Sequence, residues 1–466
     1  MRINRPFRAC TICAIVTVSW LPQAARGADP HSSTIGTPVT VGAHGNEPIV
    51  KIAPDGTLYI SALEYLYYST NNGATWKASP GTIYNNPAGG GGVNLNTDSS
   101  IDIDQLNRLY FTFDYPYAGF TSVCVSDDHA QTFSCNPTTL PGGTDRMWIV
   151  APSTTAAYLV SNEGAEQTLF FKSTDRGANW TAEGTTGAAF NSDTGPLLPS
   201  PLSGLIFQPY VNNASNATAT TNLNSGPLAF HVFNPATTNP ALSGEITTPL
   251  TAPNALPSAG FTPNGTLYLV SEEPRNDSHG NLAGYQLTIA RSTDQGAHWT
   301  VLPPIPGTSS GTQSFSAIAT GADGHVGVLY YRTPGGGDPT LDTSATWDAA
   351  WAESLNAGAA TPSWTVQTID PGVHTGAICS TAGCTGDNRY SGDFISAQFD
   401  AAGLPHLTWV KDLDTSGTNT LVRYAGVLTP GNPTPEFPST PLLILALAAA
   451  SGLFIRMMSN RVGTVG

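Results

Sequence analysis

The stretch "STDRGANW", residues 173–180, places Ser, Asp, Gly and Trp at its positions 1, 3, 5 and 8, and the spacing returns as "STDQGAHW" at 292–299. Looser copies stand at 69–76, "STNNGATW", and at 126–133, "SDDHAQTF". The residue types suit a β-hairpin turn. An Asp carboxylate accepts backbone N–H bonds inside the turn, Gly takes a positive φ, and the closing Trp covers nearby apolar surface. Ser173, Asp175, Gly177 and Trp180, and Ser292, Asp294, Gly296 and Trp299, form the full copies. Ser69, Asn71, Gly73 and Trp76 form the first copy, with Asn for Asp; Ser126, Asp128 and Phe133 belong to the second, where Ala130 replaces Gly. These residues are expected to build turns rather than to do chemistry.

A second repeat runs beside the first. An apolar run meets an Asp/Asn-x-Gly type of turn and continues as a strand in "IVKIAPDGTLYISAL", "IDIDQLNRLYFTF", "WIVAPSTTAAYLVSN", "GFTPNGTLYLVSEE", "SAIATGADGHVGVLYY" and "ISAQFDAAGLPHLTWV". A weaker seventh copy ends in "GPLAFHVFN". Apolar and polar residues alternate at strand period, so each segment reads as the inner hairpin of a four-stranded blade, closed on the outside by the Ser-x-Asp turn where one is present.

The turn pattern resembles the Asp box of the bacterial neuraminidase repeat found in sialidase-like β-propellers. Together the repeats predict an all-β propeller over residues 36–430 with seven blades, six being the alternative. A ring must close, because open edges leave backbone groups unpaired. "TPVTV" at 37–41 is expected to supply the outer strand of the last blade, beside "LVRYAGVL".

The chain ends read differently. "MRINRPFR" followed by "ACTICAIVTVSWL" and "PQAARGA" has the order of an export signal, residues 1–28, with cleavage near Gly27 or Ala28. At the other end a Pro-rich linker, 431–440, precedes an apolar run, 441–456, expected to insert in a membrane, and a basic tip, 457–466. This tail resembles PEP-CTERM-type sorting signals, with "PEF" where "PEP" is usual, which implies processing or anchoring at the cell envelope. Without the six arginines of the two ends, 12 basic residues face 33 acidic ones, a net charge near −21. Nucleic acid is therefore excluded as a partner. Cys124, Cys135, Cys379 and Cys384 remain after export, an even number for an oxidising compartment. Local pairs Cys124–Cys135, flanking the weakest box, and Cys379–Cys384 are expected. No histidine stands at ligand spacing to either pair, so no metal site is assigned.

Antiparallel order puts the first turn and the box turn of every blade at one end, so chemistry is expected at the other. That end collects Glu47, Asp98, Asp145, Arg146, Asn162, Glu163, Glu272, Glu273, Arg332, Arg389, Tyr390 and Asp393. The resemblance implies a substrate carboxylate held by three arginines and a Tyr nucleophile activated by Glu, with an Asp acid. Arg146, Arg332 and Arg389 match the first role, with Arg275 in reserve and with Glu47 and Asp393 beside them. Tyr390 with Glu272 or Glu273 matches the second, and Asp98 or Asp145 the third. The Arg-Ile-Pro signature of true sialidases is missing; "TDRMWIV" and "NRYSGDF" resemble strand starts of the broader sialidase-like group. No cofactor is implied, although Glu47, Asp98, Asp145 and Asp393 would suit calcium. There is no G-x-S-x-G elbow and no phosphate-binding loop. Three functions fit: recognition of an extracellular glycan or surface protein, sialidase-type exo-glycosidase activity, and a matrix scaffold.

Overall fold

The computed structural model describes residues 33–43, 45–63, 65–79, 98–115, 120–135, 140–141, 145–163, 167–185, 194–212, 226–237, 244–252, 256–378, 392–413 and 419–427. The expected signal, the tail from 431 onward, the Cys379–Cys384 pair, Arg389 and Tyr390 lie outside them. Every regular element among the described residues is a strand, and the strands form seven antiparallel sheets, the blades of a β-propeller.

Blade one runs from the axis outward as Ile49–Ile52, Leu58–Ala62, Tyr65–Ser69 and Lys77–Ala78. Blades three, five and six repeat this order from Asp145–Val150, Ser258–Phe261 and Thr312–Thr320. Blade two starts at Ser99–Ile103, and its third strand, Phe120–Ser126, pairs with both Ser134–Cys135 and Leu140–Pro141. Blade seven holds Ser396–Phe399, Pro405–Asp412, Thr420–Gly426 and, as its outermost strand, Val39–Ala43. Val39 pairs with Tyr424 and Ala43 with Leu421. Val39–Ala43 thus closes the ring as the sequence predicts, pairing the Thr420–Gly426 strand on its outer side.

Blade four corrects the reading of "GPLAFHVFN". Gly226–Phe233 is the third strand of this blade, and the inner hairpin is Leu198–Pro199 with Ile206–Val211. Pro196, Pro199 and Pro201 interrupt the alternation that marks the other inner hairpins, because proline cannot donate to a ladder and shortens the strand that carries it.

The boxes work as expected, and each also grips the preceding blade. Ser Oγ accepts the N–H of the fifth residue at 3.0 Å from Gly73, 3.1 Å from Ala130, 2.8 Å from Gly177 and 2.7 Å from Gly296. Asp Oδ1 accepts the N–H four residues on, at 2.8 Å in Asp128 and 2.9 Å in Asp175 and Asp294. These bonds hold the carboxyls low. Asp128 is lowered to about 2, first by the Thr132 hydroxyl, and Asp294 to about 2, first by the His298 N–H. Trp76 meets Tyr424 edge-on at 5.0 Å, and Trp299 stacks on Phe230 at 5.9 Å, so the closing Trp packs on the blade before its own.

The fourth box residue carries a contact that the turn chemistry does not reveal. Asn72, His129, Arg176 and Gln295 all sit at φ between 54° and 60°. From that left-handed position three of them reach the first turn of the previous blade. The His129 ring lies 3.3 Å from Thr57 Oγ1 and Tyr59 Oη, Arg176 bonds Asp104, and Gln295 accepts from Ser200 at 3.0 Å and from Ser203 at 2.5 Å. Blade six holds a box that the spacing concealed. Ser354 Oγ donates to Asn356 Oδ1 at 3.2 Å, but Asn356 Oδ1 then accepts from Ser363 N, seven residues on, because the turn is longer.

The Cys124–Cys135 disulfide joins directly paired residues of blade two. It lies behind the box in which Ala130 and Phe133 replace Gly and Trp. The Ser126 and Asp128 bonds persist there, with Ala130 itself at φ 61°.

Candidate functional site

The inner strands surround a central channel of about 330 Å³, with residues from all seven blades in its wall. Serines seal the wall from blade to blade. Ser396 Oγ accepts the Val50 N–H at 3.3 Å, Ser100 Oγ that of Ile149 at 3.4 Å, and Ser258 Oγ that of Ile318 at 2.9 Å. Each hydroxyl satisfies a backbone group that has no strand beyond it. Lys51 is the charged residue among those lining the channel, and its Nζ lies 3.0 Å from Asp102, whose other oxygen accepts the Ala151 N–H at 2.7 Å. Apolar side chains fill most of the remainder. Trp148 and Phe394 form a tilted aromatic pair, centroids 5.2 Å apart, toward the end opposite the boxes.

Strand direction places the described candidates at that end. Glu47 is buried, and its Oε1 accepts the Asp393 N–H at 3.1 Å, tying the entry to blade one to the entry to blade seven. Gly392, at φ 70°, leaves the space that the Glu47 side chain occupies. Asp98 precedes the inner strand of blade two, and the Asp145 and Arg146 backbones open that of blade three, Asp145 facing Asn162. No cluster of three His, Cys, Asp or Glu suited to a metal occurs among the described residues.

The two adjacent glutamates point to opposite faces of blade five. Glu273 turns toward blade four and accepts the Thr251 N–H at 2.8 Å and its hydroxyl at 3.1 Å. Glu272 turns toward blade six and accepts the Ser316 N–H at 2.6 Å. Ser316 follows Phe315, whose φ of 53° marks a bulge in the inner strand, with a register shift between Ser314 and Ala317. The bulge aims a main-chain donor at the carboxylate.

Burial raises the Glu272 carboxyl above its ordinary value despite the Ser316 bond. The folded protein therefore binds its proton to higher pH than the unfolded chain. Stability from this group is complete below the unfolded value, about 4.3, and is lost as pH rises through the folded one. Glu272→Gln should leave Tm unchanged near pH 4 and raise it by about 2–4 °C at pH 8. Thermal scans at both values test this, and a lower Tm at pH 8 would contradict it.

Arg332 and Arg275, two of the arginines of this end, are engaged in the framework. Arg332 Nη2 donates to Thr368 Oγ1 on the outermost strand of blade six, so the guanidinium points away from the axis. Arg275 donates to the carbonyls of Ala283 at 2.9 Å and Gly311 at 3.0 Å. On the box face, Arg108 and Arg176 bind Asp127 and Asp104. The sealing serines were missed by sequence reasoning, although "SSIDI", "SAGF" and "SAQF" share a serine at the strand start.

The family model described as the BNR/Asp-box repeat matches residues 67–78. No curated protein matches the sequence. The chain is similar to the solved structure of an ulvan lyase bound to -[GlcA(1-4)Rha3S]-, at 10% identity and a TM-score of 0.48, over 82% of this chain and 94% of that one. It is similar to the NanB sialidase of Streptococcus pneumoniae at 12% identity and a TM-score of 0.41, over 85% and 70%. It is also similar to the six-bladed, fucose-recognising lectin of Aleuria aurantia, at 12% and 0.41, over 74% and 100%. The chain is thus a seven-bladed β-propeller that carries a match to the BNR/Asp-box repeat in its first blade.

Proposed function

We propose that the protein is exported, held at the cell envelope by its C-terminal tail, and uses the face opposite the boxes to recognise a glycan or a surface protein without cleaving it. The basic-apolar-small order of residues 1–28, the Pro-rich and apolar tail, and the disulfide of blade two support the location. The observation that carries recognition over hydrolysis is the engagement of Arg332 and Arg275 by a threonine and by two carbonyls. A carboxylate-binding cluster needs guanidinium forks converging on one point.

A second reading, a sialidase-type exo-glycosidase, keeps one specific support in Glu272 beside the channel wall, a buried carboxyl that burial raises above its ordinary value. The purified protein is expected to bind members of a glycan array and to release no fluorophore from a fluorogenic sialoside. Release that is lost on Arg146→Ala or Arg389→Ala would replace recognition with hydrolysis. Neither binding nor release would leave the scaffold reading.

A further inference from the structure

We infer that a bound water molecule bridges the Gln208 side-chain amide and the Thr194 hydroxyl between blades three and four. Gln208 lies on the second strand of blade four, Ile206–Val211. Its neighbour Phe207 packs with Ala259 and Leu267 of blade five, whereas Ile206 packs with Val160 and Phe170 of blade three. Alternation therefore turns Gln208 and Tyr210 toward blade three. Thr194 forms an isolated bridge with Tyr210, which brings its side chain to the same face. Gln208 and Thr194 both have no exposed surface. Yet Gln208 Oε1, Gln208 Nε2 and Thr194 Oγ1 have no hydrogen-bond partner among the described residues.

The cause is local sequence. Pro196 and Pro199 reduce the inner strand of blade four to Leu198–Pro199, so its ladder is replaced by single bonds such as Gly195 N to Pro209 O at 2.8 Å. Leaving a buried amide and hydroxyl dry costs about 1–3 kcal/mol for each unpaired group. A ligand here must be small, because Gln208, Thr194, Tyr210 and His231 are all buried, and must both donate and accept. Water meets both demands, and polar sites with two to four partners are where buried water is found. The water would also steady the hub, since Trp148 Nε1 donates to the Thr194 carbonyl at 2.9 Å.

A high-resolution crystal structure of the full chain in detergent should show one solvent peak within hydrogen-bonding reach of the Gln208 amide and Thr194 Oγ1. A dry contact there overturns the inference. Thermal unfolding supplies an independent sign. Gln208→Met keeps the side-chain length and is expected to lower Tm by about 2–4 °C, because the water and Thr194 lose a partner. If the amide were merely unpaired in a dry contact, the same change would raise Tm, and that rise would equally reject the bridge.

Discussion

Removal of residues 33–43 is expected to abolish cooperative unfolding of the propeller. The outer strand of blade seven would disappear, leaving Leu421, Val422, Arg423 and Tyr424 without the partners Ala43, Gly42, Thr40 and Val39. Three further attachments go with it. Ser33 N and Oγ bond Glu353 at 2.8 and 3.2 Å, Gln367 accepts the Ile35 N–H and donates to the Ser33 carbonyl, and Arg423 donates to Thr40 Oγ1 at 2.6 Å. Glu353 is buried, so losing Ser33 removes two of its donors and leaves the bonds from His325 and Trp351.

Each net hydrogen bond contributes about 0.5–1.5 kcal/mol, and burial of Val41 against Tyr67 and Val422 adds about 1.5–3 kcal/mol. Their sum rivals the whole stability of an ordinary domain, about 5–15 kcal/mol. Calorimetry of the shortened chain should show a broadened, early transition or no soluble protein. A single sharp transition at the full-length temperature would mean that this strand does not close the ring.

The second large effect is expected from Arg176→Ala. Arg176 reaches from the third box into the first turn of blade two, with Nη2 at 2.8 Å and Nε at 2.9 Å from Asp104 Oδ2. The Asp104 side chain is fully buried, and its other oxygen already accepts the Leu106 and Arg108 N–H groups at 2.8 and 3.0 Å. Removing the guanidinium leaves an uncompensated charge inside the protein, at a cost of about 3–5 kcal/mol.

Arg108→Ala is the informative control. Its partner Asp127 is 56% exposed and can be hydrated, so that loss should be about 0–1 kcal/mol from the ion pair. Arg108 also donates to the Arg176 carbonyl at 2.8 Å, which adds the value of one ordinary hydrogen bond. Denaturant unfolding separates the two variants, and a double variant of Arg176→Ala with Asp104→Asn should recover part of the loss. Equal costs for Arg176→Ala and Arg108→Ala would refute the latch between blades two and three.

The predicted features that the structure reproduces are those whose physics is short-ranged. Alternation within "IVKIAPDGTLYISAL" and the Ser-x-Asp-x-Gly turns are settled by residues within one hairpin, because strand period and left-handed turn positions are properties of a few consecutive residues. Counting such units yielded seven blades, and the need to pair the last edge assigned 37–41 to blade seven. Where local signals were damaged, the reading moved. Prolines hid the inner hairpin of blade four, and a longer turn hid the box at Ser354 and Asn356.

Amino-acid order alone therefore specified turns, strand periodicity, the number of blades and which end of each strand opposes the boxes. It could not say that Arg176 would meet Asp104, that Ser258 would cap the Ile318 N–H, that Arg332 would turn outward to Thr368, or that adjacent Glu272 and Glu273 would serve different blades. Those outcomes depend on which side chains a neighbouring blade presents across the gap. Residues far apart in the chain meet there only once the ring has closed, so their partners are a property of the packed assembly and leave no short-range pattern to read.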